Sequence, residues 1–258
     1  MSRSAVALLL FALAGAQTVP AESPKAGEAL KARRWAEAVR LADAELARDA
    51  GDAEARLARG FARARLKDYA GSLADFYAVL GVDPERAAAW HGAGKTLRMA
   101  GDLAAGRATN ERALVLAPDA ADYLIERGVN AFEAKDFAGA SAAFERVHEL
   151  APGYAGINAY RAEAFLFLKQ AEAARGAAAE GLEREPSYGI HRINLAHAAL
   201  FAGDLAAARE LYRACADLID MDGVTPGRAL VPLDYAKMRA AGIEIAGMGE
   251  IEAMLKEP

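Results

Sequence analysis

The first residues that could do chemistry are His91-Gly92-Ala93-Gly94-Lys95-Thr96, whose end resembles a phosphate-binding loop. In that loop, G-x-x-x-x-G-K-[ST], backbone N–H groups cradle phosphates and the lysine reaches the outer ones. Here the first glycine is missing, because Ala89 occupies its place. The loop should also follow a strand, whereas residues 85–100 read as one helix, so no nucleotide site is expected. The four histidines, His91, His148, His191 and His197, contain no i, i+4 pair that would set two metal ligands on one helix face. Carboxylates are abundant, but they fall on helical surfaces beside Lys and Arg, where ion pairing accounts for them. There is no G-x-S-x-G elbow. No catalytic residue, metal, cofactor or small-molecule substrate is expected.

The elements that position these residues follow a fixed period. Pro84, Pro118, Pro152 and Pro186 stand 34 residues apart. The same interval separates the turns Lys67-Asp68-Tyr69, Gly101-Asp102-Leu103, Lys135-Asp136-Phe137 and Gly203-Asp204-Leu205, with weaker copies at Arg33-Arg34-Trp35 and Lys169-Gln170-Ala171. Such a period marks helix-turn-helix repeats. One position is always small, as Ala26, Gly60, Gly94, Gly128, Ala162 and Ala196. So is a second, as Ala38, Ser72, Gly106, Ala140, Ala174 and Ala208. Small residues let the paired helices approach closely, and larger ones there would overpack the contact. Helices this short must also lean on their neighbours. Cys215 occupies the repeat position of Ala113 and Val147, which reads as a small buried apolar residue.

In these residues the chain resembles the tetratricopeptide repeat family. The unit from Ala121 to Pro152 carries its signature at Gly128, Phe137, Ala140, Phe144 and Pro152. The likeness covers residues 22–222. It implies an all-α fold: a right-handed α-solenoid of about six 34-residue units with a C-terminal helical cap. It also implies a concave groove, lined by the first helix of each pair, that binds a protein or peptide. Departures are Gly181 and Arg184, where apolar residues are usual, and a first unit without its aromatic positions.

Carried onto this chain, the groove would be lined by Leu57, Phe61, His91, Lys95, Arg98, Asp122, Glu126, Val129 and Glu133 in its early part. Its later part would be lined by Tyr160, Glu163, Phe167, Ile193, Asn194, His197 and Phe201. Family members that bind chaperones clamp a peptide's terminal carboxylate with Lys, Arg and Asn. His91 and Lys95 begin such a clamp, but Asp122 and Glu126 follow and would repel it. Tyr160 and Phe167 share a helix face, as do Ile193 and Phe201. An exposed aromatic strip bordered by carboxylates would suit a partner helix or extended segment with apolar anchors and basic flanks. The alternative is that these side chains belong partly to the core.

Charge is uneven: residues 22–67 hold 11 Lys+Arg against 8 Asp+Glu, and residues 68–258 hold 19 against 28. Arg56, Arg59, Arg63 and Lys67 share a helical face, yet no aromatic residues interleave them and the net charge is −5, so nucleic acid is not expected. A solvated face with Arg stems over apolar surface is the simpler reading, and Arg59 can pair with Asp75. Residues 1–21 have the outline of a secretory signal peptide, with cleavage after Ala16 or Ala21. Its 12-residue apolar run is too short for a mature membrane span, so membrane contact is expected only through the signal, and an uncleaved anchor is the alternative. With the alanine-rich composition, this points to a periplasmic or secreted bacterial protein. Residues 223–258 break the period and are expected to form a loop, Gly223 to Pro232, then two capping helices. The alternative is that this tail folds into the groove.

Overall fold

The computed structural model describes residues 25–218 and 226–256. The expected signal peptide lies outside the described residues. Fourteen helices, and no β-strand, are found among the described residues. Six antiparallel pairs follow in order: α1 (Ala26–Lys31) with α2 (Trp35–Arg48), α3 (Ala53–Arg65) with α4 (Tyr69–Leu80), and α5 (Ala87–Met99) with α6 (Leu103–Leu116). Then come α7 (Ala121–Glu133) with α8 (Phe137–Leu150), α9 (Ile157–Phe167) with α10 (Ala171–Arg184), and α11 (Ile190–Phe201) with α12 (Leu205–Cys215). Two more helices, α13 (Gly227–Ala240) and α14 (Met248–Met254), close the chain. This is the all-α solenoid implied by the repeats.

The punctuation of the sequence has a direct conformational cause. Each turn within a pair passes through one left-handed residue, and all six are 34 residues apart: Arg33, Lys67, Gly101, Lys135, Lys169 and Gly203. The next residue caps the second helix. Asp68, Asp102, Asp136 and Asp204 each accept a hydrogen bond from the backbone N–H three residues on. A cap of this kind contributes about 1 kcal/mol. Arg34 and Gln170 hold the same place in units one and five and make no side-chain cap.

The small residues lie at the close contacts. A Cβ on Gly94 would come within 2.9 Å of both the Gly106 carbonyl oxygen and the Asn110 nitrogen, so α5 and α6 meet backbone to backbone. In units two and four, Gly60 and Gly128 instead make room for the rings of Phe76 and Phe144. The loop-like segment 91–96 lies inside α5, and its Thr96 hydroxyl donates to the Gly92 carbonyl at 2.8 Å. It is helix packing rather than a phosphate cradle.

Neighbouring units are joined by ion pairs in one register. Arg59 meets Asp43 at 2.6 Å, Arg127 meets Glu111 at 2.9 Å, and Arg161 meets Glu145 at 2.6 Å. Arg59 also grips Asp75, as the facing helices suggested. Partly exposed pairs contribute little energy each, about 0–1 kcal/mol. Units three and six, with Ala93 against Tyr77 and Leu195 against Ala179, lack the pair.

The two ends differ in core. The first unit closes on alanines, including Ala26, Ala29, Ala38, Ala42 and Ala62, all fully buried. The last unit closes on Leu200, Tyr212, Tyr235, Met238, Met248 and Ile251, each at most 1% exposed. The expected loop through Pro232 is corrected here, because α13 begins at Gly227 and contains Pro232. Its start is anchored on the end of α12: Gly227 N donates to Leu218 O and Arg228 N to Ala216 O, both at 2.8 Å. Gly227 lies so close to the Cys215 carbonyl that a Cβ would sit 2.1 Å from its oxygen. These contacts satisfy early N–H groups of the helix and start it ahead of the proline.

Candidate functional site on the concave face

The early groove is a polar seam whose charged groups pair with one another, although the buried Asn130 Oδ1 has no partner among the described residues. Glu126, 3% exposed, accepts Arg98 Nε at 2.6 Å, and Arg98 Nη1 continues to Glu133 at 2.6 Å. Asn130 Nδ2 donates to the Glu126 carbonyl oxygen at 2.9 Å. His91 is buried, contacts Asn110 Oδ1 through Nδ1 at 3.1 Å, and stacks on Tyr123 with centroids 4.6 Å apart. Burial pushes its pKa down, which favours the neutral ring. The reading of His91 and Glu126 as open contact residues is therefore corrected, because both are engaged within the array. Lys95 is only half-buried, beside a cavity of about 220 Å³ lined by Trp35, Phe61 and Met99.

The later groove was expected to show an aromatic strip, and the structure corrects most of it. Phe167 is 7% exposed, held by Phe132 and Phe137 at centroid distances of 4.7 and 4.8 Å. Ile193 and His197 are 1% exposed and Asn194 4%. The physical reason is α13. Its Val231, Tyr235 and Met238 enter the same core as Phe167 and Ile193. Tyr235 Oη donates to Tyr212 Oη at 2.7 Å, and Tyr212 Oη contacts His197 Nδ1 at 2.5 Å. His197 Nε2 in turn faces Asp234 Oδ2 at 3.4 Å. Burial pushes Asp234 up, but His197 and Lys237 outweigh it and hold its carboxyl below the ordinary range. Phe201 packs, half-buried, against this core.

Tyr160 and Glu163 remain accessible. Tyr160 is half-buried and stacks on Phe144 at 5.0 Å. The Glu163 side chain is 35% exposed, and its nearest cation is Lys237 Nζ of α13 at 3.9 Å. Burial pushes the Glu163 pKa up. Two cavities meet at this pair. One, of about 220 Å³, lies between α9, α11 and α13 and is lined by Asn194, His197 and Asp234. The other, of about 380 Å³, lies between α7, α8, α9 and the end of α13 and is walled by Val129, Phe132, Phe137 and Phe144. Tyr160, Glu163, Phe167 and Lys237 border both. Lys135 closes one side by donating to the Ala240 carbonyl at 2.9 Å.

The sequence reading of the groove missed Phe132, Phe137, Asp234 and Lys237. Phe137 was visible as a signature position of the repeat. Nothing local marked the α13 residues, since their partners lie far away along the chain.

No protein-family model and no curated protein matches this chain. Solved structures do resemble it. PilW, described as a widely conserved type IV pilus biogenesis factor, superposes with a TM-score of 0.65 at 19% identity, covering 73% of this chain and 88% of its own. TTC0263, a thermophilic TPR protein of Thermus thermophilus, gives 0.60 at 18%, covering 68% and 95%. A tetratricopeptide repeat protein from Parabacteroides merdae gives 0.59 at 12%, covering 89% and 95%. YrrB, described as a TPR protein with an unusual peptide-binding site, gives 0.55 at 16%, covering 67% and 89%.

Proposed function

We propose that this chain, whose fold is that of the tetratricopeptide-repeat proteins, is a non-catalytic adaptor or assembly factor of the bacterial envelope that holds a segment of a partner protein on its concave face. The observation that carries this reading is the pair of cavities meeting at Tyr160 and Glu163 on that face. Concave, largely apolar recesses with a few convergent polar groups are where ligands bind. The descriptions of PilW and YrrB fit an assembly or peptide-binding role. Export rests on the outline of residues 1–21 alone. The second reading is a regulatory or structural subunit of an envelope enzyme complex, which the same groove would serve.

A photo-crosslinking residue at position 133, on the concave face, should trap a partner in cells, whereas one at exposed Glu149 on α8 should not. Equal trapping at both positions, or none at 133, rejects the groove reading. The identity of the trapped protein separates the two alternatives. Intact mass of the secreted form should begin at Gln17 or Glu22, and a full-length N-terminus rejects export.

A further inference from the structure

Building on the groove reading above, we propose that the concave face between units four and five recognises a partner's peptide segment carrying a bulky apolar side chain next to a lysine or arginine. The apolar side chain fills the cavity walled by Phe132, Phe137 and Phe167, and the cation docks on Glu163.

The apolar half of the argument is the cavity itself. Its volume of about 380 Å³ is in the range of ligand sites. Its mouth is bordered by Glu133, Glu163 and Lys237, whose side chains are 39%, 35% and 59% exposed.

The charged half follows from hydrogen-bond accounting. Glu163 receives no hydrogen bond among the described residues, and Lys237 at 3.9 Å is beyond hydrogen-bonding distance. Lys237 is also shared, since it donates to Asp234 at 3.2 Å. Of the other charges on the rim, Glu133 accepts Arg98 through one oxygen, and Lys135 donates to the Ala240 carbonyl. Glu163 is thus a rim carboxylate that no described protein group hydrogen-bonds, with one face toward the cavities. The repeat does not require a carboxylate there, because the same position holds Val129 one unit earlier and His197 one unit later. Residues 68–258 carry 19 basic against 28 acidic side chains, an excess that draws a basic segment toward this half of the molecule.

The test is an NMR titration of the full mature chain with acetyl-Phe-Arg-amide, against acetyl-Phe-Gln-amide and acetyl-Ala-Arg-amide. Binding should move resonances of Phe132, Phe167 and Lys237, and the Phe-Arg probe should bind at least about tenfold tighter than either control. Glu163→Gln should remove the preference for Arg over Gln. Lys237→Gln should tighten the Phe-Arg probe by removing a competing cation, which a merely structural role for Glu163 would not produce. Thermal melts establish that each variant is folded. Equal affinity for the Arg and Gln probes, equal affinity for Phe-Arg and Ala-Arg, or indifference to Glu163→Gln overturns the proposal. If a partner crosslinks from position 133 yet its binding ignores Glu163→Gln, the groove reading stands and this site falls. If crosslinking from 133 also fails, both fall.

Discussion

Two stretches of the face formed by the first helices use acidic residues in opposite ways. In units three and four, Glu126 is almost fully buried and held by Arg98, which also binds Glu133. Two units' helices are tied there, and Arg98 is shared between both carboxylates. In unit five, Glu163 lies open to two cavities with one distant lysine. A buried carboxylate that is paired belongs to the framework, whereas one that is underpaired and accessible is available for recognition. The difference lies in where the cation comes from. Arg98 is part of the repeat array, while Lys237 belongs to the α13 helix laid beside it.

The largest effect should come from breaking the framework pair. Arg98→Met leaves Glu126 buried without its cation and should cost about 3 kcal/mol of stability, read by thermal or urea unfolding. Adding Glu126→Gln should recover much of that loss. An Arg98→Met protein as stable as the parent would place Glu126 in solvent and erase the contrast.

Next in size is Gly94→Leu, which drives a side chain between α5 and α6, the pair that presents His91 and Arg98. Because backbone atoms stand on both sides at 2.9 Å, the overpacking cost should reach the upper part of a ~1–3 kcal/mol range, outweighing a gain in helix propensity below ~1 kcal/mol. Unchanged unfolding would show that the contact is looser than described.

The two stretches should also respond to pH with opposite signs. Burial lowers the His91 pKa, so its contribution is full above the ordinary value of 6.5 and is lost as pH falls through the lowered one. His91→Gln should flatten that acid-side loss in a series of melts across this window, and an unchanged slope assigns the loss to another group.

The smallest effect belongs to Glu163. Its pKa is raised by burial, so the protein loses stability as pH rises from the ordinary carboxylate range through that raised value. Glu163→Gln should match the parent in acid and be slightly more stable at neutral pH, by less than ~1 kcal/mol since the side chain is one-third exposed. A clear loss of stability at neutral pH would make Glu163 a framework residue like Glu126.

The sequence by itself determined the array. A left-handed turn residue and two small contact positions recur every 34 residues, with an Asp cap in four of the six units, and each acts within one unit or on its neighbour. Interactions of such short reach leave a period that can be read directly. Only the tertiary structure decided what the groove offers. Lys135 meets Ala240 across 105 residues and His197 meets Asp234 across 37, contacts that no period announces. The spacing of Tyr160, Phe167, Ile193 and Phe201 correctly put them on first helices. Which of them stay accessible was settled by the rings of Phe132 and Phe137 on Phe167 and by α13, which begins ahead of Pro232 with Gly227 close against the Cys215 carbonyl. Burial depends on what covers a face, and here part of the cover is a non-repeating segment packed from beyond the last unit.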